Sequence, residues 1–139
     1  MRISARQGGH TLLELTAVLT IIGTLSAFAL PRYTDTMRSA RVAKMEAARR
    51  AVNESAQIYH MKWTLAGSPA RETVLDKVRM NAAGYPTSAG ILVAAGLADH
   101  YDTRVAGVIA VDAQHPACSL VYVPESGTSV VNYIDGAGC

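Results

Sequence analysis

The sequence predicts an α+β protein: a long N-terminal α-helix, membrane-spanning in its first half and amphipathic in its second, packed against a small antiparallel β-sheet head. Three observations carry this prediction. Residues Thr11 to Leu30 form a nearly continuous apolar run with one charge, Glu14. Beyond it, Val42, Met45, Ala48, Val52, Ala56, Tyr59 and Trp63 recur at spacings of three and four, a stripe on one helical face. From Val105 onward, short β-branched segments are separated by turn residues, as strands are.

The apolar run is long enough to cross a hydrocarbon layer of ~30 Å, which takes ~20 helical residues at ~1.5 Å each. No proline or glycine interrupts Arg32 to Leu65, so helix is expected from about Thr11 to Trp63. Within it, Pro31 removes one backbone hydrogen bond and Gly23 weakens the same segment, making Gly23 to Pro31 the least secure part. Ala66-Gly67-Ser68-Pro69 should end the helix. Residues 70–80 are ambiguous between a short helix and an extended segment, and Asn81 to Thr87 reads as a loop. Ile91 to Leu97 reads as a short helix or turn capped by Gly96. Strands are expected at Val105–Val111, Ser119–Val123 and Ser129–Ile134, the last two joined as a hairpin through Glu125-Ser126-Gly127-Thr128. Three or four antiparallel strands would then cover the helical stripe.

Charge is unevenly placed. Residues 1–63 carry nine Lys/Arg and four Asp/Glu, a net of +5, and residues 64–139 carry four and seven, a net of −3. The C-terminal part therefore lacks the basic field of a general nucleic-acid binder. The only cysteines are Cys118 and Cys139. In an exported head they would be disulfide-bonded, closing a loop of about 22 residues worth ~3 kcal/mol; in the cytosol they would be free thiols. Two cysteines alone make a poor metal site.

The order of the N-terminal features is unusual. Residues 1–9, MRISARQGG, are polar and basic, and the Gly8-Gly9 pair comes before the apolar core instead of after it. Cleavage there would remove the leader and keep the hydrophobic helix, unlike an ordinary secretory signal. Basic residues flank the run on both sides, so their distribution alone does not fix its orientation.

GGHTLLELTAVLTIIGTLSAFALP resembles the N-terminus of type IV pilins and of the related pseudopilins of type II secretion. The resemblance covers about 24 residues and is specific, because glycine, Thr-Leu-Leu-Glu-Leu, apolar run and proline fall in register. It implies that a prepilin peptidase cuts between Gly9 and His10 on the cytoplasmic side and methylates the new amine of His10. It also implies an assembly role for Glu14 and helix loosening at Gly23 and Pro31. Phenylalanine usually follows the cut in that family, and His10 stands there instead. The organisation implied is a leader over 1–9, a helix over 10–63 with a spanning and assembly segment over 11–30, and a head over 64–139. The resemblance further implies a head closed by a Cys118–Cys139 disulfide. Within the family, Val52-Asn53, Gly84-Tyr85-Pro86-Thr87 and Cys118…Cys139 look similar to mannose-sensitive haemagglutinin-type pilins.

Two accounts of Glu14 follow. A carboxylate in hydrocarbon costs at least about 2.5 kcal/mol and persists when it finds a partner or reaches the interface. Glu14 could snorkel to water at the bilayer edge. Alternatively, in a stack of staggered subunits, the His10 amine of one chain neutralises Glu14 of the next, as the resemblance implies.

No active site is read from the sequence, and no cofactor or metal is expected. His100 beside Asp99 and Asp102, and His115 after Asp112, are the only candidate base or ligand groups, and neither has a nucleophile or ligand spacing. Both read as solvated loop residues. The expected protein is thus no enzyme but a pilus subunit, major or minor, anchored in the inner membrane with its N-terminus cytoplasmic and later part of an extracellular fibre. Its expected partners are itself, other pilins, the peptidase and the assembly platform in the inner membrane. The fibre would serve adhesion, motility or DNA uptake. The alternatives are a pseudopilin of type II secretion, a DNA-capturing competence pilin, which would need a basic strip on the head, and a membrane-anchored enzyme.

Overall fold

A computed structural model describes residues 11–69, 71–133, 136 and 138–139. The chain forms two compact units, the first ending at Met37 and the second running from Arg38 to Cys139. Helix α1 (Leu12–Leu65) supplies the whole of the first unit that is described, apart from Thr11, and the first element of the second.

α1 continues helically through both Gly23 and Pro31. Thr34 Oγ1 donates to the Pro31 carbonyl at 2.8 Å, and Thr36 Oγ1 to that of Arg32 at 2.8 Å. The helix ends two residues beyond the sequence expectation, at Leu65, for a local reason. Gly67 adopts φ +89°, its N–H reaches the Thr64 carbonyl, and the Ser68 N–H reaches that of Trp63. Such paired bonds at a left-handed glycine satisfy carbonyls that the helix end would orphan.

Within the stretch that is ambiguous in sequence, Thr73 to Met80 form a hairpin. β1 (Thr73–Leu75) and β2 (Val78–Met80) pair antiparallel, with Leu75 opposite Val78. Asp76 and Lys77 make the turn with φ +48° and +70°, the positive pair that matches the twist of a two-residue hairpin. Residues 81–87 are a loop held by Asn81: its side-chain oxygen accepts from the Tyr85 N–H, and its amide donates to the Pro124 carbonyl. α2 (Ser88–Ala94) begins three residues before the expected helix at Ile91, because Thr87 caps it by accepting from the Gly90 N–H at 3.1 Å.

The second sheet has the order β3 (Val108–Ala110), β4 (Ser119–Val123), β5 (Thr128–Val131), all antiparallel. The β4–β5 hairpin is the expected one. β3 is shorter than Val105–Val111: Val108 N–H bonds to the Val105 carbonyl and Gly107 takes φ +78°, so residues 105–107 form a turn. The last strand stops at Val131, short of the expected Ile134, which lies outside the described residues.

The core joins Met45, Ala48, Val52 and Ala56 of α1 to Ile91, Leu97, Ile109, Leu120 and Tyr122. Ala48 and Ala56 leave room for the head to close on the helix. The other stripe residues, Val42, Tyr59 and Trp63, are half-buried. Fully burying a large aliphatic side chain contributes about 1.5–3 kcal/mol, and this cluster is where the head gains most of it.

Candidate functional site

The first unit is a helix that covers none of its apolar side chains by itself. Every residue from Thr11 to Met37 is exposed except Ser26, and Leu12 and Leu13 are each 81% exposed. An array of this size cannot be left to water, and α1 is long and apolar enough to cross a membrane. Its polar groups are managed internally. Thr16 Oγ1 donates to the Leu13 carbonyl at 3.0 Å, Thr20 Oγ1 to that of Ala17 at 2.8 Å, and Thr24 Oγ1 to that of Ile21 at 2.9 Å. Threonine hydroxyls turned onto the preceding helical turn carry little cost in an apolar setting. Glu14 lies in the first turn, where a carboxylate faces the positive end of the helix dipole. Its N–H bonds to Thr11 Oγ1 at 3.3 Å. Gly9 and His10 lie outside the described residues; Gly23 sits on an open helical face with nothing near its missing Cβ.

In the second unit, Cys118 and Cys139 form a disulfide, with Cα atoms 4.6 Å apart. Cys118 is fully buried beside the start of β4. Three basic residues of α1, spaced by three, reach across to main-chain oxygens of distant loops. Arg38 Nε donates to Gly136 at 2.9 Å and Arg41 Nη1 to Cys139 at 2.6 Å. Lys44 Nζ donates to His100 at 2.8 Å and Val111 at 2.9 Å, and lies 4.6 Å from the Tyr101 ring centre. Tyr101 in turn donates to the Lys44 carbonyl. Sequence spacing shows these residues as polar positions beside the apolar stripe; only the fold shows what they hold.

At the other end of α1, the His60 ring stacks between Tyr85, 4.3 Å away, and Trp63, 5.7 Å away. His60 Nδ1 is 2.9 Å from the Gly84 carbonyl, which can only accept, so this nitrogen carries the hydrogen. Trp63 Nε1 is buried with no hydrogen-bond partner among the described residues. An orphaned donor of this kind costs about 1–3 kcal/mol, and the stack and the Gly84 contact must offset it.

The two histidine candidates separate. The His100 side chain is exposed, and its carbonyl is the group in use. Asp102 pairs with Arg104 through two short bonds, and the guanidinium holds its carboxyl below the ordinary range. His115 Nδ1 is 2.8 Å from Asp112 Oδ1, which also accepts from the N–H groups of Gln114 and His115. Partial burial would raise the Asp112 pKa, but these bonds outweigh it and lower it. Asp112 is thus a turn-closing acceptor and His115 its side-chain partner. Among the described residues no group of three or more His, Cys, Asp and Glu is placed to hold a metal.

No protein-family model, characterised protein or solved structure matches the chain. The arrangement itself, one long apolar N-terminal helix followed by small antiparallel sheets and a disulfide, is consistent with a pilin-like fold.

Proposed function

We propose that this chain is a structural subunit of a type IV pilus, made as an inner-membrane precursor, cut after Gly9, methylated on His10 and polymerised through its N-terminal helix. The observation that carries this reading is the exposed apolar segment over 11–30 with one carboxylate, Glu14, in its first turn, directly behind a Gly-Gly pair. A secretory signal would lose such a segment on cleavage; here it stays with the head and needs either lipid or other copies of itself around it. Prepilin peptidase, the inner-membrane assembly platform and other pilins are the proposed partners, and the extracellular fibre the proposed destination. The Cys118–Cys139 disulfide supports an exported head, and it is the resemblance of this terminal cysteine pair to that of pilins that favours a pilus subunit over a secretion pseudopilin. A scaffold role, not catalysis, fits a head whose charged clusters are engaged in turns and ion pairs.

The decisive measurement is the intact mass of the protein from cells with and without prepilin peptidase. Loss of Met1 to Gly9 with a methyl gain, only where the peptidase is present, is expected. An identical mass in both strains, retaining residues 1–9, would overturn the reading.

A further inference from the structure

The Cys118–Cys139 disulfide does more than close a loop. Gly136 and Cys139, on the far side of the bridge, are the residues whose main-chain oxygens Arg38 and Arg41 grip. The Gly136 carbonyl also accepts from the Cys139 N–H at 3.1 Å, forming a tight final turn. Gly136 and Gly138 both hold positive φ, +74° and +90°. A Cβ on Gly136 would lie 3.2 Å from Arg38 Nε, and one on Gly138 would lie 3.0 Å from the Ala117 Cβ. Gly136 therefore lies closely against α1, and Gly138 against the approach to β4.

We propose that this disulfide is a redox latch: oxidised, it keeps the main-chain oxygens of Gly136 and Cys139 on the two arginines; reduced, it lets them go and frees the Arg41 guanidinium, while the core stays folded. Ordering a chain end costs backbone entropy, most of all at glycine, and Gly136 and Gly138 lie in this one. Hydrogen bonds to charged guanidinium groups offset that cost only in part where water competes. The bridge tips the balance by tethering Cys139 to the buried Cys118.

The core does not depend on the latch. Cys118 keeps its place through its own backbone bonds, its carbonyl accepting from Val111 and its N–H donating to His115. Cys139 only packs on the margin of the buried cluster. Opening needs an external dithiol. Its thiolate attacks Sγ of the half-buried Cys139, and Cys118 leaves as a thiolate and takes up a proton. The second thiol then displaces Cys139, which is released and protonated, and the reductant ends as a disulfide. The consequence is a charge signal, since oxidised and reduced subunits differ in the accessible guanidinium at Arg41. This inference stands apart from the fibre reading and needs only the head.

Dicarbonyl labelling of arginines in the full-length protein in detergent, read by peptide mass spectrometry, tests it. Phenylglyoxal condenses on the terminal guanidinium nitrogens, so Arg41, bonded through Nη1, reports directly, and Arg38, bonded through Nε, reports less. On reduction, Arg41 labelling should rise roughly tenfold, about 1.4 kcal/mol. Arg49 and Arg50 should be unchanged, hydrogen-exchange protection of Leu120 to Tyr122 retained, and reoxidation should restore the slow rate. The Cys118→Ser/Cys139→Ser variant should match the reduced protein. Unchanged Arg41 labelling would overturn the latch, as would loss of β4 protection on reduction, which would make the bridge a support of the whole head.

Discussion

The Tyr133 hydroxyl donates to Glu46 Oε1 at 3.0 Å, joining the chain just beyond β5 to a helical residue 87 positions earlier. Burial and this bond together push the Tyr133 pKa up to about 12, and burial pushes Tyr122 up as well. A phenol whose folded pKa exceeds its unfolded value of about 10 contributes stability that is complete below that value. The contribution is lost as pH rises from about 10 through about 12. Thermal unfolding of the head between pH 8 and pH 12 should show the melting temperature falling across that window. Tyr133→Phe should cost about 1 kcal/mol at neutral pH and flatten the alkaline fall. An alkaline slope identical in the two proteins would remove Tyr133 from this account.

Gly84 is required by two independent constraints. Its φ is +82°, and a Cβ there would lie 2.5 Å from Trp63 Cε3, inside the His60–Trp63–Tyr85 stack. Gly96 shares only the first constraint, with φ +65° and open space around the missing Cβ. Gly96→Ala should therefore cost about 1–2 kcal/mol from left-handed strain alone. Gly84→Ala should cost a further ~1–3 kcal/mol for overpacking. Denaturant midpoints of the two variants give the comparison. Equal losses would mean that the aromatic stack yields freely to a methyl group.

The β1–β2 turn offers a substitution in the stabilising direction. Asp76 and Lys77 both sit at positive φ, and Asp76 accepts from Lys62 Nζ at 2.6 Å, which raises the Lys62 pKa. Asp-Gly is the preferred pair for such a turn, whereas Lys77 carries a Cβ into a region that suits glycine. Lys77→Gly keeps the Asp76 contact and should stabilise the hairpin by about 0.5 kcal/mol, net of the entropy that glycine adds to the unfolded chain. Hydrogen exchange at Leu75 and Val78, the hydrogen-bonded pair flanking the turn, should slow. Faster exchange there would show that the entropy term wins.

How far the fold could be read from the chain depends on the range of the forces involved. The long helix, its stop at Gly67 and the β4–β5 hairpin are written locally, in apolar runs, breakers and alternation. The β1–β2 hairpin was ambiguous because its turn, Asp76-Lys77, lacks the glycine that announces such turns, while Val74, Leu75 and Val78 fit a helical spacing equally well. β3 is shorter than its β-branched run suggests, because Val105 sits in a turn. The least legible features are the contacts of Arg38, Arg41 and Lys44. A lysine or arginine on a helix face looks solvated in any periodicity plot, and its acceptors here lie 56 to 98 residues away. The pairing of Glu46 with Tyr133 was hidden for the same reason.

The proposed role of Glu14 yields the last prediction. Glu14 is in the first turn of a helix whose neighbours, Leu12, Leu13 and Leu15, are all more than half exposed. Near the edge of a bilayer its carboxylate can reach the interface, so it contributes little to membrane insertion. Buried among the helices of a fibre it would need a positive partner, and in the proposed assembly the His10 amine left by cleavage would supply one on the neighbouring subunit. Glu14→Val should therefore leave insertion and leader removal intact, while its incorporation into fibres beside wild-type subunits falls by tenfold or more, equivalent to about 1.4 kcal/mol or above. Glu14→Gln, which keeps the shape without the charge, should fail almost as badly. Tagged subunits counted in sheared fibres and in membranes give both readouts from one culture. Normal incorporation of the Gln variant would show that the amine is not the partner and return Glu14 to the bilayer interface.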